Sequence, residues 1–267
     1  MNWEPARADH AIDRAAIIIT FHTPLDFETF DDVIVRLRPV IKQNHLTSRS
    51  DAAEPIEIPM PQDGSPIIAQ INLNQQMLRR VAFSRHDNDK LVTDELSISA
   101  QRMILTTHRY KRWTDFLQIL TDAIGAIADV TNFETNVKSL QLEYVDRFQS
   151  TKPDADHFEV ISNMTPYLCK TASEKRYSLH NHSGWFDFEG DTIRSLTNVN
   201  IDVVEPEKAQ IIEQPTRISL FTMRRIEALI GVIDRPRERI GSLHIYLKEV
   251  FRCIITDEAA VRVALAD

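Results

Sequence analysis

From residue 137 to residue 148 the chain reads VKSLQLEYVDRF, with Leu140, Leu142 and Tyr144 alternating against Gln141, Glu143 and Val145. Successive side chains of a strand point to opposite faces, so this pattern describes a strand with one buried face. Strand-like runs of this kind come in groups. Residues 15–23, 66–74, 79–87 and 95–108 precede it, and 176–189, 192–204 and 216–228 follow it. Each group is closed by a helical stripe. Trp113, Phe116, Leu117, Leu120, Ile124 and Ile127 form one, and Ile240, Leu243, Leu247, Val250, Phe251 and Ile254 form the other. Runs of strands followed by helices point to an α+β fold with antiparallel sheet, not to an alternating α/β fold. The expected arrangement is two similar halves, 10–150 and 151–267, each an antiparallel sheet packed against helices within one compact unit spanning 1–267.

Other segments refine this outline. Residues 26–44 carry Phe27, Phe30, Val33, Ile34, Leu37 and Ile41 at helical spacing, with acids first and bases last, which suits the helix dipole. Pro39 is expected to kink or end that helix. Residues 45–66 hold four prolines and few large apolar side chains, and read as a loop. Thr256 or Asp257 caps a short terminal helix. Trp113 and Phe251 are expected in the core.

Composition bounds the chemistry. The chain has 267 residues and a net charge of −8, with 21 acids and 16 bases up to residue 150 and 18 and 15 beyond it. Neither half is basic, so no domain-wide footprint for nucleic acid exists. Phosphate-cradling loops need closely spaced glycines. There are six glycines, no two within five residues of each other, so GxGxxG and GxxxxGK[ST] are both absent. GxSxG and HExxH are absent too. Pro153-Asp154 could open an acidic nuclease motif, but no Asp or Glu stands two residues before any lysine. The polar N-terminal stretch has no apolar core of a signal peptide, and the apolar runs fall short of a membrane span. Cys169 and Cys253 have no CxxC spacing and read as reduced thiols. A cytoplasmic protein is expected.

Several phrases resemble a sporadically distributed family of uncharacterised bacterial proteins of about this length. They are YKRWTDFLQIL, LQLEYVDRF, LTNVNID and SLHIYLKEVFRCIITDEA. The resemblance covers roughly residues 10–265 and supplies no catalytic residues. It implies an accessory or defence-related role.

The residues that could carry chemistry are few. His180 and His182, in LHNHSGW, share one face of a strand, so both imidazoles could grip one metal. The plainer reading is cross-strand pairing, because no third ligand stands at a spacing typical of zinc sites. His244 lies beside the apolar stripe of the last helix. It is either a boundary histidine bonded to the sheet or an acid–base group over a pocket. Arg109, Lys111 and Arg112, with Arg224, Arg225, Arg235, Arg237 and Arg239, could bind phosphates, Tyr110 or Trp113 stacking on a base. No metal and no cofactor is expected. The leading expectation is a non-catalytic interaction protein with a protein partner, with a homodimer also open and no membrane involved. The alternative is a factor that binds nucleic acid or processes it with a metal.

Overall fold

The computed structural model describes residues 1–7, 10–53, 79–152, 155–174, 178–204 and 215–265. The elements in chain order are β1 (Trp3–Pro5), β2 (Ile12–Phe21), α1 (Phe27–Gln43), β3 (Ser48–Ala53), β4 (Arg79–His86), β5 (Val92–Ser99), β6 (Arg102–Thr107), α2 (Trp113–Thr131) and β7 (Val137–Ser150). They continue with α3 (Lys170–Ser173), β8 (Leu179–Glu189), β9 (Ile193–Val204), β10 (Arg217–Ala228), α4 (Pro236–Ile254) and α5 (Asp257–Arg262).

The α+β class holds, with the described strands joined in one ten-stranded sheet of order β3-β4-β5-β6-β2-β7-β10-β9-β8, and β1 also pairs with β7. Every strand pair is antiparallel. The β2–β7 pair sits at the centre, where Ile17 faces Leu142 and Ile19 faces Leu140. The long helices lie on one face. Phe30, Val33 and Leu37 of α1, Phe116, Leu120 and Ile124 of α2, and Ile240, Leu243 and Leu247 of α4 all join the core cluster that includes Ile17, Ile19, Leu140 and Leu142. A second cluster gathers Phe148, Ile201, Ile218 and Leu220 of the sheet with Phe251 and Ile254 of α4 and Ala259 and Ala260 of α5. Helix α4 therefore spans both clusters. On the opposite face, charged side chains pair across strands, with Arg14–Glu143 at 2.5 Å and Arg194–Glu227 at 3.0 Å. One packed and one solvated face is what an antiparallel sheet permits and what alternating sequences encode.

Four expectations are corrected. The run 95–108 is not one strand but a hairpin, β5 and β6. Ser99 turns the chain, because its Oγ accepts from the backbone N–H of Gln101 and of Arg102. The loop expected at 45–66 contains β3, an edge strand on β4, while 54–66 lie outside the described residues. Helix α1 passes through Pro39, so of the two outcomes expected there the end of the helix is overturned. The carbonyl of Val35, four residues back, loses its donor there, but Val35 is half exposed and water can serve it. Trp113 is only partly buried, at the edge of the core, whereas Phe251 is buried. The strand expected at 66–74, and Pro153 and Asp154, lie outside the described residues.

Candidate ligand-binding cleft

The site begins with a break in an alternation. On the helix face of β7 the inward positions read Leu140, Leu142, Tyr144, Asp146 and Phe148. Tyr144 belongs to the first core cluster and Phe148 to the second. Asp146 stands between them, a carboxyl where the pattern calls for an apolar group. The register opposite it is irregular: Ile12 faces Asp146 while Arg14 faces Val145, so Asp13 is an extra residue in β2. Bulges of this kind re-aim side chains and occur beside functional sites.

A cleft of about 400 Å³ opens over this point. That is within the range of small-molecule sites. Asp146 lines it together with Tyr144, the segment before α2, His10 and Ala11, the α4 residues His244, Leu247, Lys248 and Phe251, and the chain after α5. Leu247 and Phe251 stand one turn apart on α4, so the helix presents both to the cleft.

The polar groups converge. Asp146 is 2% exposed, and its Oδ1 has no hydrogen-bond partner among the described residues. Burial pushes its carboxyl from an ordinary 3.8 up to about 8, so it is mostly protonated at neutral pH. The Tyr144 hydroxyl and Nδ1 of His244 share a hydrogen bond of 2.9 Å. Trp113 stacks on that imidazole, with centroids 4.2 Å apart and planes 8° from parallel. Burial, and then the nearby charge of Lys248, holds His244 down at about 4, so it is neutral at pH 7. Burial also raises the Tyr110 and Tyr144 hydroxyls well above the ordinary tyrosine range. At the mouth stand Lys111, Arg112 and Lys248, all exposed. No ion pair among the described residues engages them.

The residues singled out from sequence divide sharply. His244 is brought into the cleft, bonded to the sheet through Tyr144. Lys111 and Arg112 are at its mouth, and Arg109 borders an adjoining polar depression with Asp94 and Asp115. His180 and His182 are elsewhere, on the exposed face of β8, where they pair across the strand with Asp202 and Asn200. No cluster of three or more His, Cys, Asp or Glu able to hold a metal occurs among the described residues. The remaining arginines form no basic patch. Arg224 pairs with Asp187 at 3.0 Å and Arg225 with Glu227 at 3.3 Å. Arg235 pairs with Glu238 at 3.2 Å, Arg237 with Glu134 at 2.5 Å and Arg239 with Glu189 at 2.9 Å. Each pair contributes little to stability, but each cancels the charge a phosphate would need. Both cysteines are free and exposed. No described helix is long and apolar enough to cross a membrane.

Sequence reasoning missed Asp146, Tyr144, His10 and Lys248. The signal for Asp146 was present: it occupies an inward position in YVDRF, between Tyr144 and Phe148.

No family model and no curated protein matches the chain.

Proposed function

We propose that the chain is a cytoplasmic protein that acts by recognition rather than turnover, and that recognition centres on a small molecule held in the cleft. One observation carries this reading: a buried carboxyl with an unpartnered oxygen at the base of an apolar, aromatic-walled cleft. A buried polar atom left without a hydrogen bond costs free energy, and a ligand that supplies the partner recovers it. The cleft's size favours a small ligand over the protein partner that the sequence suggested. The pairing of the five downstream arginines argues against extended nucleic acid.

Recognition is favoured over acid–base catalysis because of how the groups are tuned. Asp146 lies near neutrality, but His244 is held far below it and the two tyrosines far above it. An efficient proton shuttle wants both partners near the working pH. The resemblance to a sporadic bacterial family extends the proposal to an accessory role. The phrases that carry it supply Tyr110, Trp113, Tyr144, Asp146, His244 and Phe251 to the cleft. The proposal also keeps the pseudo-repeat, supported by a three-stranded meander followed by a helix on either flank, β4-β5-β6-α2 and β8-β9-β10-α4.

The test uses 8-anilinonaphthalene-1-sulfonate, an aromatic anion of suitable size. Calorimetry should show saturable binding at one site, abolished in a Lys111→Glu/Lys248→Glu protein whose circular dichroism is unchanged. Absence of saturable binding, or binding indifferent to the double substitution, would refute the reading.

A further inference from the structure

The cleft is polarised along its depth. Its mouth carries three cations from two elements: Lys111 and Arg112 before α2, and Lys248 on α4. Its walls are flat or apolar: the Trp113–His244 stack, Tyr110, Leu247 and Phe251. Its base carries a single carboxyl, Asp146, with one oxygen unpartnered. A ligand that satisfies all three layers is constrained in chemistry.

The mouth selects the charge. Three cations that no ion pair among the described residues engages repel a cationic ligand and attract an anion, and the low-dielectric walls strengthen that preference. The base selects the inner end. An anionic inner group would meet the carboxyl oxygens. A cationic one would need a charged carboxylate and would have to pass the three cations first. An uncharged acceptor oxygen meets neither obstacle, since a protonated carboxyl has one O–H to donate. Among the described residues, burial is the cause that raises the Asp146 carboxyl, and the cations Lys111, Arg112 and Lys248 stand at the mouth. Tyr110 and Tyr144 are neutral hydroxyls, His244 is a neutral imidazole engaged with Tyr144, and His10 stands at the cleft wall.

We propose that the cleft binds an organic anion with a flat apolar body whose inner end is a carbonyl-type oxygen, hydrogen-bonded by the Asp146 carboxyl. This rests on the small-molecule reading of the cleft and adds the ligand's class to it. The donor exists only while Asp146 keeps its proton, so the contact weakens as pH rises through about 8.

Two matched probes separate the class from the site. Anthraquinone-2-sulfonate has the flat body, the anion and carbonyl oxygens; anthracene-2-sulfonate has the same body and anion without the carbonyls. Calorimetry at about pH 6.5 should show the quinone bound about tenfold more tightly, the worth of one hydrogen bond to a buried donor. At about pH 9.5 that preference should vanish, the anthracene probe correcting for any titration at the mouth. Asp146→Asn, which keeps a neutral donor, should preserve the preference at both pH values. Asp146→Leu should abolish it at both. Equal binding of the two probes at about pH 6.5, or a preference indifferent to pH and to Asp146→Leu, overturns the ligand class and leaves the cleft standing. Failure of both probes to bind overturns the class and the cleft together.

Discussion

Asp146 makes the protein's stability depend on pH in a direction opposite to that of an ion-paired carboxylate. Its folded-state pKa is raised, so between about 4 and about 8 the folded state binds more protons than the unfolded state. Stability from this group is therefore present at low pH and falls as pH rises through that window. The wild-type protein should lose on the order of a few kcal/mol between pH 5 and pH 8.5 that Asp146→Asn does not lose. Parallel denaturant titrations of the two proteins measure the difference; identical pH profiles would mean that the carboxyl is hydrated. His244 acts at the other end. Its folded pKa is depressed, so its contribution is present above about 6.5 and is lost as pH falls toward about 4. Its C2–H resonance should titrate well below the ordinary midpoint, and a midpoint near 6.5 would show the Trp113 stack to be open in solution.

At the scale of elements, α4 and α5 decide whether the cleft exists. Helix α4 spans both core clusters, with Leu247 in one and Phe251 in the other. Phe251→Ala should cost about 3–5 kcal/mol, read as a lowered denaturant midpoint. Helix α5 is only six residues long and depends on its cap. Thr256 Oγ1 accepts from the Ala259 N–H at 3.2 Å and donates to the Glu159 carbonyl at 2.8 Å. Thr256→Ala should cost about 1 kcal/mol and weaken ligand binding in the same protein, because Val263 beyond α5 is part of the cleft wall. In α1, Pro39→Ala should raise stability by about 1–3 kcal/mol. The helix continues past the proline, and alanine restores the donor for the Val35 carbonyl. A loss of stability would place the proline's benefit in a stiffened unfolded chain.

For the molecule as a whole, the sheet is continuous where the core is not. Two apolar clusters meet across β7, β10 and α4, and Tyr246 packs against both. A hydrogen-bonded ladder running through β2, β7 and β10 should couple their unfolding. Far-ultraviolet circular dichroism and tryptophan fluorescence should give one coincident transition, Trp113 reporting on the first cluster and Trp3 on the second. Separated transitions would mean that the clusters fold as independent units.

The alternation in VKSLQLEYVDRF and the 3.6-residue stripes of α2 and α4 were enough to assign the α+β class and most elements. Burial writes itself into a sequence at the period of the backbone, and each element needs only its own residues to show it. The hairpin at Ser99 was hidden because its turn uses a side-chain hydrogen bond in place of glycine. The sheet order, and the meeting of Tyr110, Trp113, Asp146, His244 and Lys248, were decided only by tertiary structure. These residues come from the segment before α2, from β7 and from α4, and no local period relates them. The same holds for charge. Arg224 and Arg239 read as members of a basic stretch until folding set them against Asp187 and Glu189, 37 and 50 residues away. Sequence sets which face of an element is buried; only packing sets which buried carboxyl goes without a partner, because that depends on every neighbour at once.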